Sequence, residues 1–172
     1  MVARMTTNTA TEPQSTSADQ ALDRALARLR STGPEYFGVL ANHGPMVVEA
    51  LHHAGRSEAI EPWLDRYIVM LEPAAPPVGT DVPPNPGDTY ETTAAWFEQE
   101  LSRRHWRDIV SQWLPQLAPC AIGAAGHGLL RTAHALRGLT DADSLERRDE
   151  LARGLGYWAA SFAPTPGSTP IG

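Results

Sequence analysis

Along most of this chain apolar residues return every three or four positions, and no convincing alternation of apolar and polar residues runs long enough for a useful strand. That period commits the chain to helices. Ser17 and Gln20 have the spacing of a capping box, and Leu22, Ala25, Leu26 and Leu29 follow as one stripe before Gly33-Pro34 stops it. A second helix is predicted to start near Pro45, carry Met46, Val47, Ala50 and Leu51, and end at Gly55. A third stripe is Ile60, Trp63, Leu64, Tyr67, Ile68 and Leu71, with Pro62 in or near its first turn.

Residues 73–88 change character, because Pro73, Pro76, Pro77, Pro83, Pro84 and Pro86 exclude regular helix or central strand. A loop of that length is a lid or a plain surface crossover. Helical spacing resumes at Thr89 with Trp96, Phe97 and Leu101, and again through Trp106, Ile109, Val110, Trp113, Leu114 and Leu117, where Pro115 predicts a kink or an early end. After Pro119 a run of small residues leads into Leu129, Leu130, Ala133 and Leu136, closing at Gly138. Asp141 or Asp143 would cap a last helix striped by Leu151, Leu155, Trp158 and Phe162. Seven helices with short connections predict an all-α bundle or array with one long proline-rich loop. Residues 1–16 read as a disordered tail, 17–163 as the helical domain and 164–172 as a flexible tail.

Charge and composition narrow the function. A net charge of -6 argues against nucleic acid and against an anionic membrane surface. No stretch approaches the roughly 20 apolar residues that span a bilayer. The polar start is unlike a secretory signal, and the single Cys120 permits no internal disulfide, so a reducing cytoplasm is the expected compartment. All 14 basic residues are arginine, which removes every mechanism that needs a lysine of this chain.

The histidines are the residues best placed for chemistry. In Asn42-His43-Gly44-Pro45, His43 sits just ahead of a helix start, held by the turn but pointing away from the helix. His127 and His134 are seven residues apart and share a helix face, with Arg131 between them on nearly the same face. That separation is about 10.5 Å along the axis, so a metal would more naturally take His43 from one helix and His127 from another. The small residues ahead of His127 would let another helix come close. The alternative for each is a core histidine bonded to a backbone carbonyl. His52 and His53 suit a helix C-terminus, and His105 a solvated basic turn. Cys120, among small apolar residues, reads as a buried structural thiol. Glu49 could reach the pocket of His43, although glutamates on helix faces are usually solvated.

Leu40-Ala41-Asn42-His43-Gly44-Pro45-Met46-Val47-Val48-Glu49-Ala50-Leu51, followed by Gly55-Arg56 and Trp63-Leu64-Asp65-Arg66-Tyr67, resembles the opening of questin oxidase-like proteins. His127-Gly128-Leu129-Leu130-Arg131-Thr132-Ala133-His134-Ala135 resembles that family's later histidine motif, and the likeness runs from about residue 20 to 163. The resemblance implies an oxidoreductase that cleaves anthraquinone-type aromatic polyketides by Baeyer–Villiger-like or oxygenase chemistry. It implies non-haem iron on His43 and His127, with Arg131 and His134 as candidate catalytic residues and NADPH compatible as a reductant. Family members are longer, with further histidine-bearing helices after the matched region. The expectation is therefore a site completed by a homodimer or a separate partner chain, or one that has lost catalysis. A non-catalytic helical partner and a hydrophobic-ligand binder stay open as alternatives.

Overall fold

The computed structural model describes residues 16–79, 81–85 and 88–162. The two predicted tails lie outside the described residues, save Thr16. Among the described residues seven α-helices carry the fold: α1 Ser17–Leu29, α2 Gly44–His53, α3 Ile60–Tyr67, α4 Tyr90–Arg103, α5 Trp106–Leu117, α6 His127–Asp141 and α7 Leu145–Ala160. Between α1 and α2 lies a hairpin of two-residue strands, β1 Glu35–Tyr36 and β2 Leu40–Ala41, with Tyr36 opposite Leu40. The all-helical expectation is met. No helix among the described residues is long and apolar enough to cross a membrane.

Several boundaries differ from the expected ones, each for a local reason. The capping box of α1 is made by Thr16 and Asp19, one residue earlier than Ser17 and Gln20. Asp19 N–H donates to the Thr16 hydroxyl at 3.1 Å, and Thr16 N–H returns to the Asp19 carboxylate at 3.2 Å. Helix α6 does not close at Gly138 but runs to Asp141. A glycine there costs helix propensity, and a Cβ at that place would stand at ordinary contact distance, 3.7 and 3.9 Å, from Glu49 and Arg147. Ser144, rather than Asp141 or Asp143, caps α7, its hydroxyl accepting from Arg147 N–H. Pro115 sits inside α5, which ends two residues later at Leu117. Gly55 terminates α2 as expected, with φ +69°.

Two apolar clusters form the interior. One gathers α1, α2 and α3 around Leu22, Leu29, Val48, Ile60 and Leu64. The other gathers α4, α5, α6 and α7 around Phe97, Ile109, Trp113, Leu151 and Leu155. Helix α7 packs on both α4 and α6, and glycines set the distance. A Cβ on Gly128 would stand 2.5 Å from Trp158 Cα, and one on Gly156 2.7 Å from Ala94 Cα. Gly154 likewise faces Thr132. Gly128, just after His127, thus admits α7 as a close neighbour, whereas the small residues ahead of His127 form a positive-φ turn at 124–126.

The proline-rich stretch holds neither helix nor paired strand among its described residues. Its start is tied down, with Ala74 N–H donating to Ser31 O at 2.9 Å and Gly33 N–H to Glu72 O at 2.9 Å. Residues Ala74–Pro77 then wall a cleft of about 520 Å³ against α1 and α4.

Gly128→Ala should lower stability by about 1–3 kcal/mol, because an added methyl meets backbone that cannot yield. Gly79→Ala, which meets nothing within 4 Å, should stay within about 0.5 kcal/mol of wild type. Chemical denaturation of both variants checks the pair; equal stability would mean that α6 and α7 do not meet at Gly128.

Candidate functional site

Asn42, rather than a capping hydroxyl, organises the start of α2. Its buried amide donates to Thr32 Oγ1 at 3.0 Å and to Gly33 O at 2.9 Å, while its Oδ1 accepts from Gly44 N–H at 2.9 Å. A Cβ at Gly44 would come within 2.6 Å of Leu29 Cδ2 and 2.9 Å of Asn42 Oδ1, so a larger residue there would make these side chains shift. His43 is thereby held by its backbone, its N–H donating to Tyr67 Oη at 2.9 Å, and its ring makes no capping bond. Burial pushes the Tyr67 hydroxyl up to about 12, so it stays protonated beside His43 at neutral pH.

On the other side, Ala124, Ala125 and Gly126 all take positive φ, at 47°, 51° and 81°. Alanine pays for that conformation in strain. The turn brings Ala124 O to 2.7 Å from His127 Nδ1, so Nδ1 donates and Nε2 is left with its lone pair. His43 Nε2 lies 3.1 Å from that Nε2, with the two rings edge to face at 84°.

The sequence placed these two histidines on separate helices as partners, and the fold brings them into contact. It does not bring in the other two candidates. His134 Nδ1 donates to Glu49 Oε2 at 2.5 Å. Arg131, 3% exposed, is turned towards α7, where its Nε and Nη2 grip the Glu150 carboxylate at 2.6 and 2.8 Å. Expected beside the histidines, it stands instead in a buried ion pair with an unpartnered Nη1.

The pairs His43 with His127 and Glu49 with His134 advance together, so α2 and α6 run side by side in one direction. Six or seven residues along each helix separate the pairs by about 10 Å. His127 and His134 therefore serve two different partners on α2. Glu49 is 4% exposed and also accepts from Arg137 Nε at 2.7 Å and Nη2 at 2.5 Å. Burial alone would raise its carboxyl, but the bonds from His134 and Arg137 outweigh that and hold it below the ordinary value of 4.5.

Sequence reasoning weighed Glu49 as a residue of the His43 pocket against a solvated glutamate, and gave Asn42, Tyr67, Arg147 and Glu150 no role at the site. A signal existed for three of these. Glu49 interrupts an apolar run, and Arg147 and Glu150 continue the α7 apolar stripe towards its N-terminus. Arg147, 1% exposed, bonds Asp23 and Asp19, both at 2.8 Å, and Gly138 O at 2.9 Å. The remaining histidines follow expectation: His52 and His53 end α2, and His105 is an exposed N-cap of α5. Cys120 is a buried free thiol, its pKa raised by burial.

Two imidazole nitrogens about 2.0–2.1 Å from one ion stand about 2.9–3.4 Å apart for ligand angles between square and tetrahedral. The 3.1 Å separation of His43 and His127 falls within that range. It is also the length of an N–H···N bond, which the pair makes when His43 donates. An oriented Nδ1 on one ring is what a metal-ligating histidine requires. Among the described residues no third His, Cys, Asp or Glu joins them. The residues therefore fit two positions of a metal's coordination sphere. No known protein family, curated protein or solved structure matches the chain.

Glu150→Ala should cost about 3–5 kcal/mol by leaving the Arg131 charge buried and unpaired. Arg148→Ala, at the more exposed Asp143 pair, should cost about 0–1 kcal/mol. The advantage of wild type over Glu49→Gln should hold at neutral pH. Because the folded carboxyl is held low, that advantage should fade as pH falls below 4.5. Urea midpoints across pH measure all three, and a Glu49→Gln difference unchanged in acid would overturn the assignment of charge to Glu49.

Proposed function

We propose that this chain is a metal-dependent oxidoreductase acting on an aromatic, quinone- or phenol-type small molecule, with His43 and His127 as ligands of non-haem iron. The observation that carries the reading is the 3.1 Å approach of two Nε2 atoms from separate helices, one oriented through its Nδ1. The resemblance of the two histidine segments to questin oxidase-like proteins supports the oxidative chemistry and the aromatic substrate class. An aromatic group beside His43 supports it too: Tyr67 stacks on Trp63 at 4.7 Å, Tyr36 meets Tyr67 edge-on at 6.2 Å, and Phe37 extends from Tyr36 into solvent. Planar ligands gain from such faces.

Bound iron would supply the one-electron and dioxygen chemistry that no side chain offers. The protein's own part is positioning. Ala124 O fixes the His127 tautomer, Asn42 and Tyr67 fix the His43 backbone, and Glu49 with His134 holds α2 against α6 nearly two turns further on. His134, with its Nδ1 committed to Glu49, keeps Nε2 for a proton; Arg131 is assigned to the fold. NADPH, if used, would act as a diffusible reductant, since the sequence has no glycine-rich dinucleotide motif.

Elemental analysis of the untagged chain, with oxygen uptake in the presence of a hydroxyanthraquinone, tests the reading. Iron retained by wild type, with uptake that disappears in both His43→Ala and His127→Ala, is the expected result. A folded wild type that holds no iron and matches both variants would overturn it.

A further inference from the structure

Ten large apolar side chains are exposed among the described residues; four belong to the segments that carry the histidine pair and two more to the turn after Tyr67. Phe37, Val39 and Leu40 stand on the hairpin that ends two residues before His43, at 69%, 80% and 47% exposure. Val69 and Met70 lie two and three residues after Tyr67, whose hydroxyl takes the His43 N–H. Leu130 lies three residues after His127, one turn along the same face of α6. Single exposed apolar residues need no explanation; a concentration of them around one site marks an interaction surface.

The same place is chemically unfinished. His43 is exposed, His127 is half-buried, and the pair offers two nitrogen donors where structural zinc takes four and iron more. From these two observations we infer that a second copy of this chain docks on the hairpin and His43 face, so that one divalent cation is held by His43 and His127 of both protomers. The inference rests on the metal reading above and names the partner of that site.

A two-fold axis sets a patch against itself, so whatever one protomer brings the other repeats. Two imidazoles become four with no other partner required, and apolar side chains meet apolar side chains. Each chain carries a net charge of -6 and repels its copy; a shared cation and an uncharged contact both offset that repulsion. The tautomers suit the task. His127 already presents a lone pair at Nε2, and His43 does so once its proton moves to Nδ1.

The full untagged chain is titrated with Co²⁺, and bound cobalt per chain, mass in solution and the visible spectrum are recorded together. The expected result is one cobalt per two chains, a dimer that dissociates with EDTA, and the strong visible bands of tetrahedral cobalt. Val39→Glu and Phe37→Ser change exposed side chains that the fold does not need. Both should give folded monomers that have lost the bands. One cobalt per monomeric chain would overturn the inference and leave the metal reading standing, as would full cobalt binding by a monomeric Val39→Glu. A dimer that excludes cobalt would overturn the shared ion. Failure of wild type to bind any cobalt would overturn both.

Discussion

The Glu49 carboxylate, almost wholly removed from water, is the constraint to which this fold answers. A buried charge is tolerable only where fixed donors surround it, and here they come from one turn of α6, through His134 and Arg137. Those donors allow little slip between α2 and α6. Sliding one helix past the other would strand the carboxylate. The same registration puts His43 opposite His127 at the ends of the two helices, so a structural requirement in the middle of the pair sets the geometry at its tip.

A second set of buried charges extends the arrangement. Arg147 of α7 reaches Asp19 and Asp23 on α1 and the carbonyl of Gly138 on α6, beside Glu49. Arg131 and Glu150 pair α6 with α7. The two apolar clusters are thus joined by directional contacts, which specify orientation in a way that non-directional apolar burial does not. Glycines complete the specification by bringing α7 against α4 and α6 until backbones touch.

Backbone strain is concentrated where the histidines are presented. The three described non-glycine residues with positive φ are Phe37, Ala124 and Ala125. Two of them form the turn that aims a carbonyl at His127, and the third is at the tip of the hairpin that leads to His43. Strain of this kind persists when surrounding contacts over-determine it. The Phe37 N–H donating to the Glu72 carboxylate and the His127 Nδ1–H donating to Ala124 O are such contacts.

The helices themselves were legible from the sequence, because the three-four period of Leu22, Leu26 and Leu29 or of Trp106, Ile109 and Trp113 follows from helix geometry alone. So was the proline-rich break, since proline removes a donor and fixes φ whatever surrounds it. His43 and His127 could be named as partners because one precedes a helix and the other follows a run of small residues. Arg131 and His134 share a face with His127 on any helical wheel, yet they were sent to different neighbours. A wheel gives a direction from one axis and says nothing about which helix stands there. That Glu49 lies opposite His134, that Arg131 meets Glu150, and that Gly138 continues a helix depend on the packing of segments about 85 residues or fewer apart in sequence. Periodicity is a local property and the sequence determined it; partner identity is a property of packed surfaces, and only the tertiary structure decided it.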